Sequence, residues 1–148
     1  MAERLSASDQ AAWRAFLRAH ATIVGALERD LATRGMPIAF YDVLDQLDEA
    51  GGRVRMRELA DAVLLSRSGL TRLIDRMEHA GYVHRERCAD DRRGAYAAIT
   101  PVGRQALRQA GPVYSRGVAE HFAHRLTGEE TAVLTSALGR VADGQPRR

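Results

Sequence analysis

The chain contains no lysine: all 22 of its basic residues are arginine. It holds a single cysteine, Cys88, which excludes a framework of intrachain disulfides. No apolar run approaches the ~20 residues that a membrane-crossing helix requires. The start, MAERLSASDQ, lacks a basic segment followed by an apolar core, so no signal peptide is expected and the chain reads as cytoplasmic. Also missing are a glycine-rich phosphate loop, a nucleophile elbow and paired carboxylates on a scaffold large enough to enclose a substrate. Those absences argue against an enzyme, and no cofactor is expected.

What is present fits one soluble globular domain of 148 residues, 45% hydrophobic and 28% charged. The formal net charge of +3 is unevenly placed. From Arg53 to Arg93 there are ten arginines against seven acids, whereas the remainder carries twelve of each sign. The whole excess therefore sits in one stretch, which favours a polyanionic partner. Genome composition would account for arginine in place of lysine but not for the clustering. Guanidinium forks also suit phosphate oxygens and guanine edges better than ammonium groups do.

Apolar spacing predicts a mainly helical chain. A first helix from about Ala7 to Thr33 has Ser6 as N-cap and carries Trp13, Phe16, Leu17, His20, Ile23, Val24, Leu27 and Leu31 in one stripe. A second runs from about Ala39 to Glu49. Short helices follow at Met56–Val63 and Arg67–Ala80, joined by Leu64-Leu65, with Ser66 as N-cap and Gly81 after the end. Tyr82–Arg87 and Ala95–Ile99 read as a β-hairpin whose polar loop runs from Cys88 to Gly94. Thr100-Pro101 opens another helix, which Gly111-Pro112 is expected to interrupt and kink. Thr127-Gly-Glu-Glu130 is a capping box for the last, and the tail Gly144–Arg148 is expected to fray.

Three residues between the helices at 56–63 and 67–80 force the second to project its N-terminal half outward. Arg67, Ser68, Thr71, Arg72 and Arg76 point away from the core there, beside the N-cap Ser66, and offer donors and acceptors to base edges and phosphates. At the hairpin tip, Asp91-Arg92-Arg93 could enter a minor groove, with Asp91 orienting an arginine. Singly, the helix could be an ordinary helical hairpin with a solvated face, and a charged turn is usually just solvated. Together they specify a winged helix-turn-helix that binds duplex DNA.

From about Leu59 to Gly103 the sequence resembles the MarR (multiple antibiotic resistance regulator) family of bacterial transcription factors. The resemblance rests on Leu59-Ala60, the run Leu65–Glu78, Gly81-Tyr82-Val83, Asp91-Arg92-Arg93 and Ile99-Thr100-Pro101-Val102-Gly103. It departs at Leu64, where many members carry a turn glycine. The resemblance implies a homodimer with interlocking terminal helices (1–36 and 101–148) and a winged DNA-binding module at 37–100. It implies Ser66 to Arg76 in the major groove, and Arg92 and Arg93 in the minor groove. A palindromic operator would then have half-sites about 10–10.5 bp apart. The surplus apolar stripes of the terminal helices independently call for a second copy.

The expected function is a transcriptional regulator, most simply a repressor, released by a small aromatic or anionic effector. Trp13, His20, Phe40 and Tyr41 are candidates for lining its pocket, although such a stripe is more often core. Cys88 invites a thiol sensor, but no second cysteine is there to resolve a sulfenic acid. His121 and His124 are three apart on a helix, yet lack a cysteine or carboxylate cluster to complete a metal site, so no metal is expected. The rival reading is a winged-helix protein-interaction module with no DNA role.

Overall fold

The structure is a computed structural model that describes residues 4–90 and 93–144. Asp91, Arg92 and the expected frayed tail beyond Gly144 lie outside the described residues. Side-chain caps set most helix starts. Ser6 Oγ accepts from the Asp9 amide while the Asp9 carboxylate accepts from the Ser6 amide, and this reciprocal pair opens α1 (Ala7–Ala32). Pro37 precedes α2 (Ile38–Glu49), which buries Phe40, Val43, Leu44 and Leu47 as the spacing predicts.

A strand that the sequence does not announce follows, β1 (Arg53–Arg55). Three residues are too few to show a period, and the strand exists because β3 offers it an edge. Next come α3 (Met56–Ala62) and α4 (Arg67–His79), then the hairpin of β2 (Val83–Arg87) and β3 (Ala95–Ile99). The sheet is antiparallel in the order β1-β3-β2, with Arg55 and Glu86 flanking Tyr96 on β3 and Arg85 opposite Ala97.

Thr100 caps α5 (Pro101–His121), and its hydroxyl also donates to the Gly81 carbonyl at 2.6 Å. That double use pins the start of α5 against the end of α4. Gly103 is required there, because a Cβ at this position would overlap the carbonyl oxygen of Tyr82. The expected break at Gly111-Pro112 does not occur: α5 runs through Pro112 without interruption. Pro112 lies on the exposed side of the helix, where the carbonyl it leaves unpaired can be solvated. A short 3₁₀ turn, Ala123–Arg125, leads to α6 (Gly128–Asp143), opened by the capping box of Thr127 and Glu130.

One hydrophobic cluster runs from Leu31 and Met36 through α2, α3, α4 and the sheet to Leu107 and Ala110 of α5. The winged module therefore does not have a core of its own; the ends of the long helices complete it. Beyond that cluster α1 and α5 stay together because Gly117 lets α1 approach closely and His121 Nε2 meets Asp30 Oδ2 at 2.9 Å. No helix among the described residues is long and apolar enough to cross a membrane.

Candidate nucleic-acid interface

The turn between α3 and α4 closes with two backbone bonds, Leu65 N to Ala60 O at 3.0 Å and Leu64 N to Asp61 O at 3.4 Å. Leu64 stands at the left-handed position of this turn, with φ 57°. Ala60 is buried where the two helices cross, and Leu70, Leu73, Ile74 and Met77 anchor α4 from beneath. Ser66 then caps α4 by accepting from the Gly69 amide at 3.1 Å.

With that face committed to the core, Ser66, Arg67, Ser68, Thr71, Arg72 and Arg76 are all exposed. They are brought together on the outer side of α4, as the spacing predicts. Several are partly engaged within the chain: besides its cap bond, Ser66 Oγ lies 3.3 Å from Ser68 Oγ. The Thr71 hydroxyl donates to the Arg67 carbonyl at 2.9 Å, so toward a ligand it acts as an acceptor. The Arg76 guanidinium lies 5.5 Å from the centre of the Phe40 ring, a cation–π contact that turns it back toward α2.

The hairpin stands beside this face. Arg93 is exposed at its tip, while Asp91 and Arg92 fall outside the described residues. Between the hairpin, α4 and the start of α3 lies an open groove of about 470 Å³. Its walls include Arg55, Arg57, Arg67, Arg85 and Arg93. Four of these side chains, Arg55, Arg57, Arg67 and Arg93, make the concavity a surface for phosphate oxygens, whereas the Arg85 guanidinium is held by Asp75 and Glu78. Cys88 is buried at the groove, and its amide donates to the Gly94 carbonyl at 3.2 Å, which closes the base of the wing.

Family comparisons agree with this geometry. The MarR family model matches residues 34–94. The transcriptional regulator HosA of Escherichia coli O157:H7 is 35% identical over 101 residues, covering 68% of this chain and 73% of that protein. AbsC, a MarR family transcriptional regulator from Streptomyces coelicolor, superposes with a TM-score of 0.90 at 36% identity, covering 96% of this chain and 97% of that one. The chain belongs to the MarR family. Sco3205, another MarR regulator from Streptomyces coelicolor, was solved in complex with DNA; it is 35% identical, with a TM-score of 0.92 over 99% of this chain and 93% of that one. This MarR protein is thus a DNA-binding transcriptional regulator of the winged-helix kind, and not an enzyme.

The four residues expected to line an effector pocket are not assembled by one copy of this MarR chain. Trp13 and His20 are exposed on α1 and bracket Phe16, with ring centres 5.9 and 6.3 Å from it. Phe40 and Tyr41 are buried instead, Phe40 edge-on to Tyr82 and Tyr41 stacked on Tyr114 at 4.3 Å. The physical reason is that α1 leaves the core at Leu27, so its N-terminal half never reaches α2. The surroundings of Tyr41 are also acidic. Burial, then the charges of Asp45, Tyr114 and Asp42, push its hydroxyl up to about 12, an environment that disfavours an anion.

Three arginines of this surface escaped sequence reasoning. Arg55 lies in β1, which has no periodic signature, and Arg57 lies on α3, where the sequence marks it only as part of the basic stretch. Arg85 holds α4 from the wing, and a signal for it exists. Asp75 and Glu78 put two acids on one side of a helix meant to face a polyanion, which demands an internal partner. His121 bonds Asp30, and among the described residues no group of three or more His, Cys, Asp or Glu side chains is placed to hold a metal ion.

Proposed function

We propose that this MarR regulator binds a palindromic operator as a homodimer, with Arg67, Ser68, Thr71 and Arg72 reading the major groove and the Arg93 wing entering the minor groove. Residues 37–100 form the DNA-binding module, and 1–36 with 101–148 form the dimerisation region. The observation that carries the reading is the arginine-walled groove lying between a fully exposed α4 face and the wing. Ser66 contributes as the α4 cap; Arg76, held over Phe40, serves the flanking phosphates. Asp91 and Arg92 keep the minor-groove role that the family resemblance implies.

The dimer is supported by apolar side chains that one copy leaves in water, among them Trp13 at 56% and Val133 at 66% exposure. Repression is the simpler outcome, since a bound dimer blocks promoter DNA without recruiting anything. A small aromatic or anionic effector entering between the copies, near Trp13 and His20, would release it. The setting is the cytoplasm, where the operator is.

A mobility-shift assay on genomic fragments at two salt concentrations tests this. Sequence-selective retardation that weakens as salt rises is the expected result. A protein-interaction module without a DNA role would retard no fragment selectively.

A further inference from the structure

Acidic side chains on a DNA-reading helix work against its partner, yet α4 carries Asp75 and Glu78 on the side that faces the wing. Asp75 is 60% exposed, so burial does not explain it. Both are engaged by one residue of β2. Arg85 Nη2 donates to Asp75 Oδ1 at 2.6 Å and to the Thr71 carbonyl at 3.1 Å. Its Nη1 donates to Glu78 Oε1, and its backbone amide donates to Glu78 Oε2 at 3.2 Å. Four hydrogen bonds thus run from a single strand residue to three α4 residues that span two turns. The side chain is less than one-third exposed, which reduces solvent competition for these charged contacts.

We propose that Arg85 is a positioning residue that fixes the wing relative to α4, so that the two reach adjacent grooves together; this rests on the DNA-binding reading above. The mechanics follow from the register. Arg85 pairs with Ala97 and Arg87 with Ala95, so the base of the hairpin is a short paired lever with its fulcrum at the clamp. A rotation at Arg85 is carried to Arg93. At the other end, the clamp grips the carbonyl of Thr71, a residue whose hydroxyl faces the bases in the same reading. A lysine could not reproduce this, since one ammonium cannot fork between two carboxylates and a carbonyl. Because the guanidinium is committed to Asp75 and Glu78, it is not counted among the phosphate contacts.

The test measures binding of a captured operator fragment by fluorescence anisotropy across a salt series. The proteins are wild type, Arg85→Met, Arg85→Lys, Glu78→Gln, Asp75→Asn, Arg93→Ala and the Arg85→Met/Arg93→Ala double variant. Arg85→Met should bind about tenfold more weakly with an unchanged salt slope, because it releases no counterion. Arg93→Ala should flatten that slope by about one unit. Glu78→Gln should also weaken binding, although removing a negative charge beside DNA would by itself strengthen it. In the Arg93→Ala background, Arg85→Met should cost less than about twofold more, because its effect acts through the wing.

Tighter binding by Glu78→Gln, a flattened slope for Arg85→Met, or full additivity in the double variant would each overturn the clamp. Arg85→Lys matching wild type would do the same. Circular dichroism and the thermal midpoint check each fold. Should Arg85→Met not fold, the surface variants Glu78→Gln and Asp75→Asn carry the same sign test. Failure of wild type to bind any fragment would instead remove the DNA-binding reading, and so is distinguishable.

Discussion

The stretch from α2 to β3 and the pair of helices α1 and α6 are built from similar amounts of apolar sequence and end in opposite conditions. In the first, Phe40, Leu44, Leu59, Leu70, Ile74 and Met77 are all buried, helices are closed by caps and turns, and Arg85 ties the parts. In the second, α6 buries no residue, and Leu5, Trp13, Phe16 and Leu17 of the α1 region stand in water. The difference teaches that one region carries its reason for folding within the chain while the other depends on something outside it. A second copy is the economical partner, because identical stripes bury each other and a two-fold axis suits a palindromic site.

The largest effect should come from breaking that dependence. Leu17→Arg or Leu138→Arg places a charge in the stripe and should convert the proposed dimer to a 16.3 kDa species in sedimentation. Operator affinity should then fall by about 10²- to 10⁴-fold, since two half-sites no longer act as one ligand. The single tryptophan, Trp13, reports independently: its emission should shift to the red as the partner leaves. A variant that remains dimeric and binds normally would show that these stripes are not the interface.

The central region should respond differently. Thr71→Val and Arg72→Ala change groups on the exposed side of α4, so the dimer should persist while base preference relaxes by about 1–3 kcal/mol at the contacted position. Selection of operator variants by sequencing measures it. Uniform weakening across all sequences would mean that these residues touch only phosphate.

How much of this was legible in the sequence follows the same division. The inward set of α4, its Ser66 cap and the hairpin could be read because caps and 3.6-residue spacing are local signals. Strand β1 could not, since Arg53–Arg55 becomes a strand only by pairing with Tyr96–Ala98. Pro112 misled because a proline reads as a break wherever it falls, whereas its cost depends on which side of the helix faces solvent. One copy does not bring Trp13 and His20 to Phe40 and Tyr41, because the stripe of α1 reads as continuous while its core contact ends near Leu27. Asp75 and Glu78 signal that α4 needs an internal cation, but not that it is Arg85, because its three acceptors lie 7 to 14 residues away.

A weaker, pH-gated effect lies at the seam between the two regions, where Tyr41 of α2 stacks on Tyr114 of α5. Burial raises the Tyr41 hydroxyl from 10.0 to about 12 in the folded state. The neutral phenol is thus favoured by folding. Its contribution is fully present below pH 10.0 and is lost as the pH rises toward about 12, because the unfolded chain ionises first. Thermal midpoints should decline across that window, and Tyr41→Phe should flatten the decline. An identical decline in Tyr41→Phe would assign it to other groups.

The smallest effect concerns the one place where the central region contradicts its own economy. Leu64 is left-handed at φ 57° and 90% exposed, so it has a strained backbone and a side chain with nothing to pack against. A left-handed conformation costs a non-glycine residue about 1–2 kcal/mol. Glycine removes that cost but gives back about 0.5–1 kcal/mol through the freedom of its unfolded chain. Leu64→Gly should therefore stabilise the protein by about 0.5–1 kcal/mol, read as a rise in the thermal midpoint. Leu64→Ala keeps the strain and loses no burial, so it should leave the midpoint where it is. If both variants lower it, the leucine side chain is covered in the assembled protein, and the turn belongs with the terminal helices among the parts that a single copy does not complete.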